Sequence, residues 1–244
     1  MNLWVGTSGY SYKAWLGSFY PERLPAKEML RFYASRLPAV EINNTFYRLP
    51  KESVLQNWAE QVPPSFRFVL KAPQRITHIK RLQEASEEVE YLFRAENSLG
   101  SSKGAVLFQL PPSLRKNLLT LQNFLSILPP DRPIAFEFRH VSWFDEEIFA
   151  CLRERNCALC LAEMEDSENS DLVPTANWGY LRLRRSDYTP TDLRNWKQRI
   201  LAQPWDHAYV FFKHEDEGIG PKLAAQFLDL DQNTGDWRDR FSSR

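Results

Sequence analysis

The chain has 244 residues, 43% hydrophobic, 25% charged and 14% aromatic, the make-up of an ordinary globular protein with a generous supply of rings. Lysine plus arginine equals aspartate plus glutamate at 31 each, so there is no overall basic surplus to track a phosphate backbone, and a nucleic-acid role would need a local patch. No window approaches the ~18 apolar residues of a membrane helix, and the start, Met1 to Gly6, has neither the basic nor the apolar segment of a secretory signal, so the expectation is a cytoplasmic protein with no membrane partner.

Along the chain, short apolar runs bounded by turn residues alternate with stretches of helical period, the pattern of parallel strands joined by helices. Leu3 to Thr7 is the first strand. A helix over Lys27 to Leu37, with Met29, Leu30, Phe32 and Tyr33 largely on one stripe, leads to the strand Val40 to Asn43. Ser53 to Gln61 is the second helix, and Pro63-Pro64 stops it ahead of the strand Arg67 to Lys71. Glu87 to Leu99 precedes the strand Ala105 to Gln109, and Leu118 to Leu128 ends at Pro129-Pro130 before Ile134 to Glu137. Glu146 to Arg155, with Asp145 as its N-cap, leads to Ala158 to Ala162.

Glu163 to Trp178 then breaks the alternation: it is polar, Pro-interrupted and without an apolar stripe, which predicts a loop or a single turn. Its acidic run, Glu163, Glu165, Asp166, Glu168 and Asp171, reads as a solvated loop. The strand Gly179 to Arg182, a helix over Asp192 to Ala202 capped by Thr191, the strand Ala208 to Phe212 and a helix over Pro221 to Leu230 complete the series, with Asp231 to Arg244 as a frayed polar tail. Eight strand–helix units are the number that closes a barrel. The expected fold is therefore α/β: one TIM-like (β/α)8 barrel spanning 1–244, with an irregular connection after strand six.

Cys151, Cys157 and Cys160 are an odd, clustered set that does not suggest a disulfide framework. Cys157 and Cys160 are three apart beside a buried strand, so their thiols should face opposite ways rather than converge on a metal or a redox pair.

Chemistry in such barrels sits at the C-terminal strand ends, where the loops are free to vary. Strand one ends in Thr7 and Ser8 with Tyr10 and Tyr12 beyond; strand two carries Glu41, Asn43, Phe46 and Tyr47; strand three carries Lys71 and His78. Strand four ends in Gln109, strand five in Glu137, Arg139 and His140 with Trp143 beyond, strand seven in Arg182 and Arg184, and strand eight in Lys213, His214 and Glu215. Strand parity puts Glu41 with Asn43 and Glu137 with Arg139 on the inner face, and turns Phe136 and Phe138 toward the helices.

Five motifs in this order resemble the YecE-like family, domain of unknown function 72: Gly6-Thr7-Ser8-Gly9-Tyr10-Ser11-Tyr12; Val40 to Pro50; Lys71-Ala72-Pro73 with Ile76-Thr77-His78; Leu107 to Pro112; and Glu137-Phe138-Arg139-His140 with Ser142-Trp143. The resemblance spans most of the chain and implies a TIM-like barrel, but it brings no reaction with it; such barrels have been likened to those of endonuclease IV and the sugar isomerases. The chain departs from the family pattern at Arg184-Arg185, where a His-Gly is commoner, and at Lys213-His214-Glu215-Asp216, in place of an Asn-rich turn.

The residues at the strand ends suggest an enzyme acting on a small anionic, sugar-like substrate. Lys71, Arg139 and Arg182 would bind the anion, Glu41 and Glu137 would transfer protons from opposite sides, and Tyr10, Phe46, Tyr47 and Trp143 would cover an apolar ring face. Thr7, Ser8, Tyr12, Asn43, His78, Gln109, His140 and Lys213 complete the candidate binding set. No cofactor is called for, and a divalent metal remains open. The alternatives are a nucleic-acid-binding or endonuclease IV-like barrel, for which four histidines are a thin supply of metal ligands, a Schiff-base enzyme using Lys71 or Lys213, and a ligand-binding barrel without catalysis.

Overall fold

Strands buried on both faces need near-continuous apolar runs, and each such run in the chain forms a strand. A computed structural model describes residues 1–163, 171–213 and 217–230. The strands are β1 (Asn2–Ser8), β2 (Ala39–Ile42), β3 (Arg67–Lys71), β4 (Lys103–Gln109), β5 (Ile134–Glu137), β6 (Ala158–Ala162), β7 (Trp178–Leu183) and β8 (His207–Phe212). They pair in parallel in sequence order, and β8 closes the ring against β1 from Asn2↔His207 to Thr7↔Phe212. Outside lie α1 (Met29–Ala34), α2 (Glu52–Glu60), α3 (Ser86–Asn97), α4 (Leu118–Ser126), α5 (Glu146–Glu154), α6 (Pro190–Leu201) and α7 (Ile219–Asp229).

Inside the ring, large and small side chains divide by strand. Trp4, Trp178, Tyr180, Tyr209 and Phe211 project from β1, β7 and β8, while Ala39, Ala105, Ala135 and Ala158 line β2, β4, β5 and β6. The rings fill the volume that the alanines leave, which makes the lower barrel a packed core. Phe136 and Phe138 face outward, as parity requires, into the layer beneath α4 and α5.

Two local expectations change. The N-cap of α6 is Thr189, whose hydroxyl accepts from the Asp192 amide while the Asp192 carboxylate accepts from Thr189, with Pro190 as the first helical residue; Thr191 lies inside the helix. Glu163, read as part of a solvated acidic run, is buried, and its amide donates to the Arg182 carbonyl at 3.0 Å. Residues 171–177 run to β7 without helix or strand, and Asp171 is exposed. Glu165, Asp166 and Glu168, the turn His214 to Asp216 and the tail from Asp231 lie outside the described residues.

Cys157 packs in the outer layer and Cys160 inside the barrel, and burial raises both thiol pKa values, that of Cys157 to about 12. Among the described residues no helix is long and apolar enough to cross a membrane.

Candidate functional site

The first loop owes its shape to Gly9. At φ 97° its backbone is in the region that favours glycine, and a Cβ there would collide with the Tyr12 hydroxyl. Its amide donates to the Glu41 carbonyl at 2.8 Å, which ties the loop to β2, and Tyr12 donates to the Ser8 carbonyl at 2.7 Å. Ser8 faces inward beside Glu41, and these bonds hold the loop against β2.

At the centre of the mouth, Arg182 lies between the carboxylates of β2 and β5. Its Nη2 donates to Glu41 at 2.8 Å and its Nη1 to Glu137 at 2.6 Å, and all three side chains are almost wholly buried. Glu41 accepts three further hydrogen bonds, from Ser8 Oγ at 2.7 Å, Asn43 Nδ2 at 3.2 Å and the Tyr180 hydroxyl at 2.6 Å. Glu137 accepts three more, from Gln109 Nε2 at 2.8 Å, Arg139 Nε at 3.0 Å and Arg184 Nη2 at 2.7 Å. A carboxylate has about four acceptor sites, two on each oxygen; Glu137 fills all four, whereas Glu41 takes three bonds on Oε1 and one, from Tyr180, on Oε2.

Burial pushes the Glu137 carboxyl pKa up, but Arg182, Arg184 and Arg139 push it down further, and it ends well below the usual carboxylate range. Glu41 is lowered likewise: burial raises it, while Arg182, Tyr180 and Ser8 outweigh that effect. Both are held ionised. Opposed carboxylates with a substrate between them were the expectation; instead a guanidinium occupies the space. That arrangement leaves Glu137 no free lone pair, and on Glu41 only Oε2, bonded to Tyr180 alone, has one to spare.

Lys71 stands apart from this network. It ends β3 on the inner face, its Nζ lies 4.2 Å from the centroid of Phe46, and no carboxylate among the described residues pairs with it. Burial lowers its pKa to about 8, and neighbouring Arg182 adds to the drop. His78 comes from a single π-helical turn over Arg75–Ile79, which sets its ring edge-on to Phe46 at 4.8 Å; burial and the nearby Lys71 depress its pKa. Tyr47 meets Phe46 edge-on at 5.1 Å and is 74% exposed, at the rim. Arg139 is also partly exposed, with 37% of its side chain accessible.

Beyond Ala135↔Ala158 and Phe136↔Leu159 the pairing of β5 with β6 stops. The wall opens there into a cavity of about 500 Å³, with Glu137 and Arg139 at one end and Leu159, Leu161 and Trp205 among its apolar lining.

Several expected binding residues have other work. Thr7 faces outward, its amide and hydroxyl bonded to the Tyr33 hydroxyl on α1, each at 2.9 Å. Tyr10 packs against Tyr33 and Trp58, under the helices, and Tyr12 against Trp15. Trp143 is buried, stacked on Phe138 at 4.7 Å, with its indole donating to the Leu114 carbonyl. His140 Nδ1 accepts from the Ser142 amide at 3.1 Å and so caps the turn after β5. Lys213 is exposed at the end of β8, and its amide donates to the Leu183 carbonyl.

Tyr180 was absent from the expected set, and Arg184 was named at the end of strand seven without a binding role. Both share the inward parity of Arg182 on β7, and that parity was the signal available for them. No group of three or more His, Cys, Asp and Glu among the described residues is disposed to hold a metal ion, with His214, Glu215 and Asp216 outside that set.

Against known proteins, residues 4–240 match the model of a family described as protein of unknown function DUF72. The UPF0759 protein YunF of Bacillus subtilis is 29% identical over 93% of this chain and 94% of its own length; the UPF0759 protein YecE of Escherichia coli K12 is 31% identical over 58% of this chain and half of its own. Among solved structures, a DUF72 family protein from Thermotoga maritima superposes with a TM-score of 0.82 at 25% identity, covering 94% of this chain and 99% of that one. A second, from Enterococcus faecalis, gives 0.76 at 20% identity, covering 96% and 97%, and likewise has this fold. With the family model matching almost the whole length, the chain belongs to the DUF72 family of TIM-like barrels.

Proposed function

We propose that the barrel mouth binds a small anionic molecule, a carboxylate or phosphate of about sugar size, with Lys71, Arg139 and Arg184 contacting the anion and Phe46 giving an apolar face to the rest. The observation that carries this is a charge imbalance. Among the described residues of the mouth, Arg139, Arg182, Arg184 and Lys71 surround two carboxylates, each of which already accepts four hydrogen bonds. Cations partly withdrawn from water without matching anions are costly, and a bound anion would relieve that cost. The Nε atoms of Arg182 and Arg184 add to the support, being buried donors without an acceptor.

In this reading Glu41 and Glu137 are positioning groups that aim the arginines. They replace the proton-transfer pair expected from the sequence.

Calorimetric titration with pyrophosphate, citrate and a panel of sugar phosphates tests the proposal. At least one should bind, more weakly as salt rises, and Arg139→Gln should weaken it about 10-fold or more. Failure of the whole panel, or equal binding by the variant, contradicts it. A nuclease-like barrel would instead bind oligonucleotides with a steep salt dependence.

A further inference from the structure

The cations at the mouth are not equivalent. Arg182, Arg184 and Arg139 each hold a carboxylate oxygen within 3.0 Å. Lys71, on the same inner face, holds none among the described residues and lies against Phe46 instead. Its side chain is only partly exposed. The charged and titratable groups around it come from every side: Glu41 on β2, His78 after β3, Glu137 at the end of β5 with Arg139 just beyond it, and Arg182 on β7. Burial together with Arg182 outweighs the pull of Glu41 and Glu137 toward the charged amine, and neither carboxylate pairs with it directly. Those are the conditions under which a barrel lysine becomes a nucleophile.

We infer that Lys71 is a nucleophile that condenses with a small anionic aldehyde or 2-oxo acid to form an imine in the barrel mouth. Only the charge of the substrate rests on the proposal above; the reactivity of the amine stands on its own geometry. In the step, neutral Nζ attacks the carbonyl carbon to give a carbinolamine. The carbonyl oxygen then leaves as water, taking up the two amine hydrogens, so that one C=N bond replaces one C=O bond and nothing is oxidised or reduced. Arg139 holds the acidic group of the substrate beside the reacting carbon. The Phe46 ring face at 4.2 Å attracts the ammonium form, so the lowering of the amine pKa comes from burial and Arg182.

A pKa of about 8 against an ordinary lysine near 10.4 makes the neutral amine on the order of 100-fold more abundant at pH 7.4. Lys27 and Lys51, both exposed, serve as internal references. The full chain is incubated with glyoxylate and cyanoborohydride, which reduces any imine to a stable secondary amine, and labelling at each lysine is followed by peptide mass spectrometry across pH 6.5–10. Lys71 should be modified at least 10-fold faster than Lys27 and Lys51 at pH 7.4, with its rate half-maximal near pH 8. Thr45 bonds the Lys71 carbonyl rather than its side chain, so Lys71→Arg keeps that tie and should fold, and it should lose the fast site.

Labelling of Lys71 no faster than the references overturns the inference. Pyrophosphate titration of the same protein separates the two proposals. Pyrophosphate binding without selective trapping sinks the nucleophile and leaves the anion site standing. Selective trapping without pyrophosphate binding does the reverse.

Discussion

At the floor of the barrel Trp4 stacks on Tyr209 at 5.1 Å, His207 packs edge-on to Trp4 and parallel to Trp178, and Arg67 lies over the Trp4 ring. Some of the same strands, one or two turns of the pleat further on, carry Ser8 and Arg182 into a buried lattice of charge with Glu41 and Glu137. The floor gains its stability from buried area and ring contacts, with His207, whose pKa burial lowers, as a titrating member. The mouth places ionised groups out of water, where each is tolerable only while its partners stay in place. One barrel thus has a stabilising end and an end whose stability depends on charge, and the second is where a ligand has something to add.

Removing Arg182 should have the largest effect. Arg182→Met leaves Glu41 and Glu137 buried without their shared cation, and breaking such a pair costs about 3–5 kcal/mol. Urea unfolding at pH 7 measures it. A loss under about 1 kcal/mol would mean that the lattice is better solvated than its burial implies.

Acid should distinguish the two ends next. Glu41 and Glu137 have folded pKa values below the ordinary range, so the stability they contribute is fully present above the unfolded-state value of about 4.3 and is lost as pH falls below it. The gap between wild type and Arg182→Met should therefore narrow below about pH 4. At the floor Trp178→Phe, costing about 1 kcal/mol, should keep a nearly constant gap over the same range. Parallel pH curves for both variants would contradict the contrast.

A smaller effect is expected at Glu96 on α3. Burial raises its pKa to about 7, Arg132 offsets this only in part from 3.8 Å, and one carboxylate oxygen has no hydrogen-bond partner. With the folded pKa raised, stability is highest below the unfolded-state value and falls as pH rises through 7. Glu96→Gln should stabilise the protein by about 1–2 kcal/mol at pH 8 and by much less at pH 5, as measured by thermal unfolding.

Much of the barrel was legible because parallel strands buried on both faces announce themselves as apolar runs, and their period of two fixed which of Glu41, Lys71, Glu137 and Arg139 point inward. The pairing among those groups was not legible. That Arg182 would join β2 to β5 depends on how far its side chain reaches across the closed ring, which no local pattern encodes. Tyr180 reads as a core ring in sequence, and its hydroxyl becomes a site group only through a contact 139 residues away in the chain. Thr7 shows the opposite case. Its parity with Leu3 and Val5 already pointed it at the helices, and its place next to Ser8 at a strand end obscured that signal. Trp143 was beyond reach, since whether a ring past a strand end covers a ligand or a neighbouring phenylalanine is decided by the path of its loop.

Among the described residues, the mouth carries more fixed positive charge than its carboxylates neutralise. Diffraction from crystals soaked in selenate, with anomalous scattering to locate selenium, tests this most directly. A selenate oxygen is expected within hydrogen-bond distance of Lys71 Nζ and Arg139, with loss of that peak in Arg139→Gln. Selenate bound only at surface lysines, with the mouth holding water alone, would contradict it.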